Sequence, residues 1–145
     1  MLGFFKGIII NSILLMMRCI WELPQNIAGI IVWLIVRHKI TRVEIIHKRL
    51  FFQTHNFGIS LGSFVFWSNS NDSIVLIAPK NKEHEYGHTI QSLIFGPLYL
   101  ILVGIPSISR VVYNSIYYGL NKTKWANYYN GYPENWADKL GMKHY

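Results

Sequence analysis

The sequence predicts an α+β protein with membrane-associated N-terminal helices, a small three-stranded antiparallel sheet, a helix after it that carries the candidate site residues, and further helices toward the C-terminus. Three observations lead there. Hydrophobic residues make up 51% of the chain and charged residues only 14%, against about 25% in an ordinary globular domain. The apolar residues gather into long runs before residue 37 and again across 93–109. Between 43 and 77 the pattern changes to short β-branched and aromatic blocks separated by turn residues. With 145 residues there is room for one modest core. The expected division is a membrane-associated helical region over 1–40 and a second domain over 41–145.

The N-terminal region holds two apolar runs, "GIIINSILLMM" at 7–17 and "NIAGIIVWLIV" at 26–36, parted by Arg18, Glu22 and Pro24. Each is shorter than the roughly 20 residues that cross a bilayer. A re-entrant helical hairpin and one long helix kinked at Pro24 are the two main readings. A cleaved signal peptide ranks last, because a second apolar run follows and no small-residue cleavage site stands out. Basic residues crowd this region and its exit: Lys6, Arg18, Arg37, Lys39, Arg42, Lys48 and Arg49. With a net charge of +7, such a chain could meet nucleic acid or anionic lipid. Beside so much apolar sequence the lipid surface is the expected partner, with no nucleic acid and the following segment on the cytoplasmic side. The single cysteine, Cys19, excludes an internal disulfide and reads as a small hydrophobe.

"VEIIHKRLFF", "GISLGSFVFW" and "SIVLI" are expected as the three strands, joined by "QTHNFG" and "SNSNDS". In "GISLGSF" two glycines stand four apart, but a phosphate loop would need a lysine and a following helix. Close strand packing or a bulge is the better reason. After "APKNK", Asn81 is expected to cap a helix from Lys82 to Phe95, and Gly96-Pro97 to end or kink it. From Tyr86 to Ser109 there is no Asp, Glu, Lys or Arg. The apolar stretch 93–109, broken at Gly96-Pro97 and Gly104-Ile105-Pro106, suits a re-entrant or bent membrane segment whose freed backbone groups face protein or water. A buried core helix is the competing reading. The tail is rich in Tyr and Trp, which fits an interfacial aromatic belt or ordinary helix packing.

Within the helix lies "HEYGH": His84, Glu85 and His88. Positions four apart share a helix face, so both imidazoles can meet one ion. Glu85 is turned off that line and would stand beside a zinc ion as general base. A catalytic zinc needs a third protein ligand and an open position. In "PENWADKLG", 133–141, Pro133 suits a helix start, and Glu134 and Asp138 fall on one face. Glu134 could complete the ligand set and Asp138 could accept a ligating histidine's free N–H. Alone, these acids read more simply as an exposed helix with negative charge at its N-terminus. His144, His55 and His47 are rival ligands. Tyr128, Tyr129 and Tyr132 are candidates to stabilise an oxyanion.

HExxH followed by Glu-x-x-Ala-Asp resembles the gluzincin metallopeptidases. It is closest in style to the membrane-embedded group that includes the CAAX-prenyl endopeptidase and the heat-shock membrane protease. The likeness rests on His84, Glu85, His88, Glu134, Ala137 and Asp138. It implies His84, His88 and Glu134 on Zn2+, Glu85 as catalytic base, Asp138 behind a ligand, and a peptide or protein substrate. The longer string "HEYGHTIQSLIFGPLYLILVGIPS" also resembles short bacterial membrane proteins of the Bacteroidetes kind and the tails of some large bacterial repeat proteins. The expected function is a zinc-dependent membrane metallopeptidase. The alternatives are a non-catalytic membrane protein with a structural metal clip and a membrane-active effector or toxin module.

Overall fold

The computed structural model describes residues 2–69 and 80–145, with residues 2–9 as backbone only. Helices α1 (Leu2–Trp21) and α2 (Leu23–Val36) come first. They meet at an 82° bend, as a broken span or a re-entrant loop would. Pro24 lies in the first turn of α2, where its missing N–H costs no hydrogen bond. The bend is held from inside. Glu22, fully buried, takes Arg18 Nε at 3.0 Å and both terminal nitrogens of buried Arg49 at 3.2 Å. Gln25, also fully buried, donates to Ser92 Oγ and the Gly96 carbonyl, each at 3.0 Å.

The sheet corrects the expected one. Among the described residues it has four strands and is mixed: β1 (Arg42–Ile46), β2 (Arg49–Gln53), β3 (Ile59–Leu61) and β4 (Phe64–Trp67), in the order β1-β2-β4-β3. The β1–β2 and β3–β4 pairs are antiparallel, whereas β2 and β4 run parallel. Each of the first two expected strands is in fact a two-stranded hairpin. His47 and Lys48 make the first turn with φ of 49° and 61°. That geometry normally selects Asn-Gly, so the sequence carries no turn signal there. Gly62, at φ +62°, makes the second. The third expected strand, 73–77, lies outside the described residues. Phe51, Val65 and Phe66 are fully buried in this sheet, each contributing about 1.5–3 kcal/mol by leaving water.

Helix α3 (Asn81–Phe95) forms where it was expected. Asn81 is its first residue and not its cap. Its Oδ1 accepts the Ser68 N–H at 2.8 Å, because the end of β4 lies close enough to compete with the helix's own amides. Gly96, at φ +51°, ends the helix, and a Cβ there would strike the Trp21 ring. Beyond a 3₁₀ turn at Gly96–Leu98, a π-helical turn (Leu100–Gly104) runs straight into α4 (Ile105–Asn121). The second expected break is therefore a continuous helix. Pro106 offers no N–H to the Leu102 carbonyl four residues back. The Tyr132 hydroxyl donates to that carbonyl at 2.7 Å instead. Leu100–Asn121 is long and apolar enough to cross a membrane, with 11% of its most apolar stretch buried.

Arg110 of α4 donates to the Asn127 and Tyr128 carbonyls and stacks over Trp125. This pins the loop that leads to α5 (Glu134–His144). The tail aromatics pack largely on each other, as with Tyr113 against Trp125 at 4.6 Å and Tyr132 against Trp136 at 6.3 Å. α3 and α5 lie in backbone contact. A Cβ on Gly87 would come within 1.9 Å of the Ala137 carbonyl oxygen, and one on Gly141 within 2.1 Å of the Glu83 oxygen. Only hydrogen at both positions allows so close an approach.

Candidate metal centre

This close crossing brings together residues 50 positions apart. His84 and His88 project from one face of α3, and Glu134 and Asp138 from the facing turns of α5. His84, Glu85, His88 and Glu134 are all buried, at 5% exposure or less.

For the neutral rings, the hydrogen bonds favour one tautomer of each histidine. Gln91 Nε2 donates to the Pro133 carbonyl at 3.0 Å, so its Oε1 faces His88. His88 Nδ1 must then donate to that oxygen, at 2.8 Å. His84 Nδ1 donates to Asp138 Oδ1 at 2.7 Å. In these neutral tautomers both Nε2 atoms carry lone pairs, and they face each other at 3.1 Å. Glu134 Oε2 joins them, 3.1 Å from His84 Nε2 and 3.5 Å from His88 Nε2. Its other oxygen accepts a hydrogen bond from Ser107 of α4 at 2.6 Å, which turns one oxygen toward the histidines. Three electron pairs so arranged repel one another, and a cation among them relieves the repulsion. His84, His88 and Glu134 form a group that could hold a metal ion.

A proton on His84 Nε2 relieves the same repulsion, so proton and metal ion compete for this position. Burial disfavours a charged His84, but its hydrogen bonds to Asp138 and Glu134 overcome this and push it up to about 10. Burial alone would raise the Glu134 carboxyl, yet the contacts with His84 and His88 hold it well below the usual carboxylate range. Glu85 goes the other way. Burial raises it, and the neighbouring His84, His88 and Ser60 offset this only in part.

Glu85 turns from the three-residue group toward the sheet edge. Ser60 of β3 donates to its Oε2 at 2.9 Å, and Asn81 Nδ2 lies 3.4 Å from Oε1. Gly58 has no side chain because one would strike Glu85, so the close-packing reading of "GISLGSF" fits this glycine. Among the described strands β3 is the outer one on this side. A cavity of about 390 Å³ opens over the group, between β3, α3, α4 and the loop before α5. Tyr128 and Tyr129 line it, and the Tyr129 ring meets His84 edge-on at 5.2 Å.

The rival ligands lie elsewhere. His47 sits in the β1–β2 turn against Tyr86 and Tyr145, and His144 ends α5, exposed. His55 is exposed in the β2–β3 connection, its carbonyl taken by Ser68. Tyr132 is spent on the Leu102 carbonyl. Sequence reasoning missed Gln91, Ser60 and Ser107. Gln91, three residues after His88 on the same helix face, carried a periodic signal; the serines carried none. No family model, curated protein or solved structure matches this chain.

Proposed function

We propose that this protein is a zinc-dependent metallopeptidase of gluzincin type, seated in or on a membrane with its site toward the cytoplasmic face. The observation that carries the reading is the trio of lone pairs on His84, His88 and Glu134, beside a buried glutamate and under an open cavity. Two imidazoles and one carboxylate are a donor set that suits zinc and leaves a corner for solvent. Zinc, when bound, supplies Lewis acidity to a carbonyl and acidifies water.

The chain's own residues account for the rest. Asp138 and Gln91 fix the two ring tautomers, and Ser107 aims Glu134. Glu85, with its carboxyl raised by burial, takes a proton from the attacking water and returns it to the departing amine as the C–N bond breaks. Strand β3, outermost among the described strands, offers an edge along which an extended peptide can align. The basic cluster at 37–42 and the exposed apolar faces of α1, α2 and α4 suit contact with an anionic bilayer.

Because the site bridges α3 and α5, a structural metal clip is the second reading. Metal content and hydrolysis separate the two. The wild-type chain, purified in detergent, should hold one zinc ion, and His84→Ala, His88→Ala and Glu134→Ala should each lose it. Glu85→Gln should keep the ion while peptide hydrolysis falls about 10²–10⁴-fold. Full metal content with no hydrolysis by the wild type would leave the clip. No retained zinc at all would defeat both.

A further inference from the structure

Most of the described glycines stand where a side chain cannot. A Cβ at Gly29, Gly58, Gly87 or Gly141 would come within 3.0 Å of another residue, and Gly62 and Gly96 hold a positive φ. Gly104 does neither. Its φ of −59° is ordinary for a helix, and a Cβ there would meet nothing closer than Leu100 Cδ2 at 3.7 Å. Glycine weakens a helix interior relative to alanine, because its backbone loses more freedom on folding. Neither packing nor backbone geometry therefore explains a glycine at this position.

The space at Gly104 belongs to the cavity over the metal group, which Gly104 lines together with Leu100, Ile105 and Ile108. Two contacts bracket it along the chain. Five residues before, the Tyr99 hydroxyl donates to the carbonyl of Ser60, the residue that holds Glu85, at 3.0 Å. Three residues after, Ser107 donates to Glu134. The gap thus falls between the residue tied to the Glu85 side and the one tied to the metal side. Apart from His84, Glu85, His88 and Glu134, no charged side chain among the described residues lines the cavity. We propose that Gly104 is the size-determining position of the site: its missing side chain leaves room for one bulky apolar residue of the substrate beside the metal group. This rests on the peptidase reading above and adds which side chain is accepted next to the metal. A charged side chain in that space would lie against aliphatic carbon without a partner.

The test reads binding and not turnover. Zinc-loaded protein in detergent is titrated calorimetrically with acetohydroxamate and 3-phenylpropionohydroxamate. Both anchor on zinc by the same group, and they differ in carrying a methyl or a phenylethyl. The larger probe should bind wild type at least about tenfold tighter. Gly104→Leu should bring the two within about twofold of each other, while acetohydroxamate keeps its wild-type affinity. Gly104→Ala should narrow the ratio in part, keep its zinc and unfold at no lower denaturant concentration than wild type. Gly119→Leu should leave the ratio intact. It lies near the end of the same helix, exposed, with nothing within 4 Å of its Cβ, and it controls for partition of the larger probe into detergent. Equal binding of both probes by wild type, or a ratio that survives Gly104→Leu, overturns the inference and leaves the peptidase reading untouched. A ratio lost equally in Gly119→Leu also overturns it. So does a Gly104→Ala protein that loses stability or zinc, because the glycine then serves the fold. If the ratios behave as expected while zinc-loaded wild type cleaves no peptide, the peptidase reading fails and the size-determining role of Gly104 toward ligands of the metal stands.

Discussion

The α3–α5 pair and the α1, α2 and α4 helices treat polarity in opposite ways. In the first, His84, Glu85, His88, Gln91 and Glu134 are buried. In the second, Ile20, Ile35, Ile105, Ile116 and Leu120 lie more than half exposed. Ordinary folding in water inverts both choices. Burying so many polar groups is tolerable only where each finds a partner, and the hydrogen bonds around the metal group supply one for almost every atom. Exposing so much aliphatic surface is tolerable only where something apolar covers it. The difference teaches that function sits in the polar interior, while the apolar exterior speaks of surroundings.

The largest effect expected from breaking this contrast is at the junction of the two regions. Glu22→Gln takes the charge from a fully buried partner of Arg49 and Arg18. It should cost about 3–5 kcal/mol, because the guanidinium is left buried without its counterion. Denaturant unfolding in detergent measures this, and a cost under about 1 kcal/mol would show that water reaches the cluster. Next comes Gly87→Ala, whose new methyl meets the Ala137 carbonyl. Separation of α3 from α5 should cost about 3 kcal/mol, and zinc content should fall with it. An alanine protein with full metal content would mean that the helices can move apart without opening the site.

A smaller change sharpens the comparison inside the polar region. Gln91→Met keeps volume but removes the group that orients His88 and ties Pro133. Zinc affinity should drop about 10–100-fold with the fold intact, as read by competition with a chromophoric chelator and by circular dichroism. Unchanged affinity would show that His88 needs no external partner to hold its tautomer. The smallest effect belongs to the apolar exterior. Ile116→Ser, at a position 58% exposed, should change stability in detergent by no more than about 0.5 kcal/mol. A loss of 2 kcal/mol or more would show that another protein surface, and not solvent or lipid, covers that face.

Some of this was legible residue by residue. The helical spacing of His84 and His88 placed two imidazoles on one face, because 3.6 residues per turn brings every fourth residue round again. Gly96-Pro97 announced the end of α3. The sheet was less legible. His47 and Lys48 make a left-handed turn without the residues that usually mark one, so two strands read as one. The parallel partnership of β2 and β4 had no local signal at all. Asn81 looked like a cap because capping is local, but a strand end from elsewhere took its oxygen.

By itself the chain's order of residues determined the α3 helix, its pair of histidines on one face, the apolar blocks and a helix at 134–141, since periodicity and glycine–proline punctuation act within a few residues. The tertiary structure alone decided that α3 and α5 cross without side chains between Gly87 and Ala137. It therefore also decided that Glu134 reaches the two histidines, that Ser107 aims it, and that Ser60 holds Glu85. Those meetings join residues from 25 to 50 positions apart. No local rule specifies them, because they depend on how closely two backbones can pack.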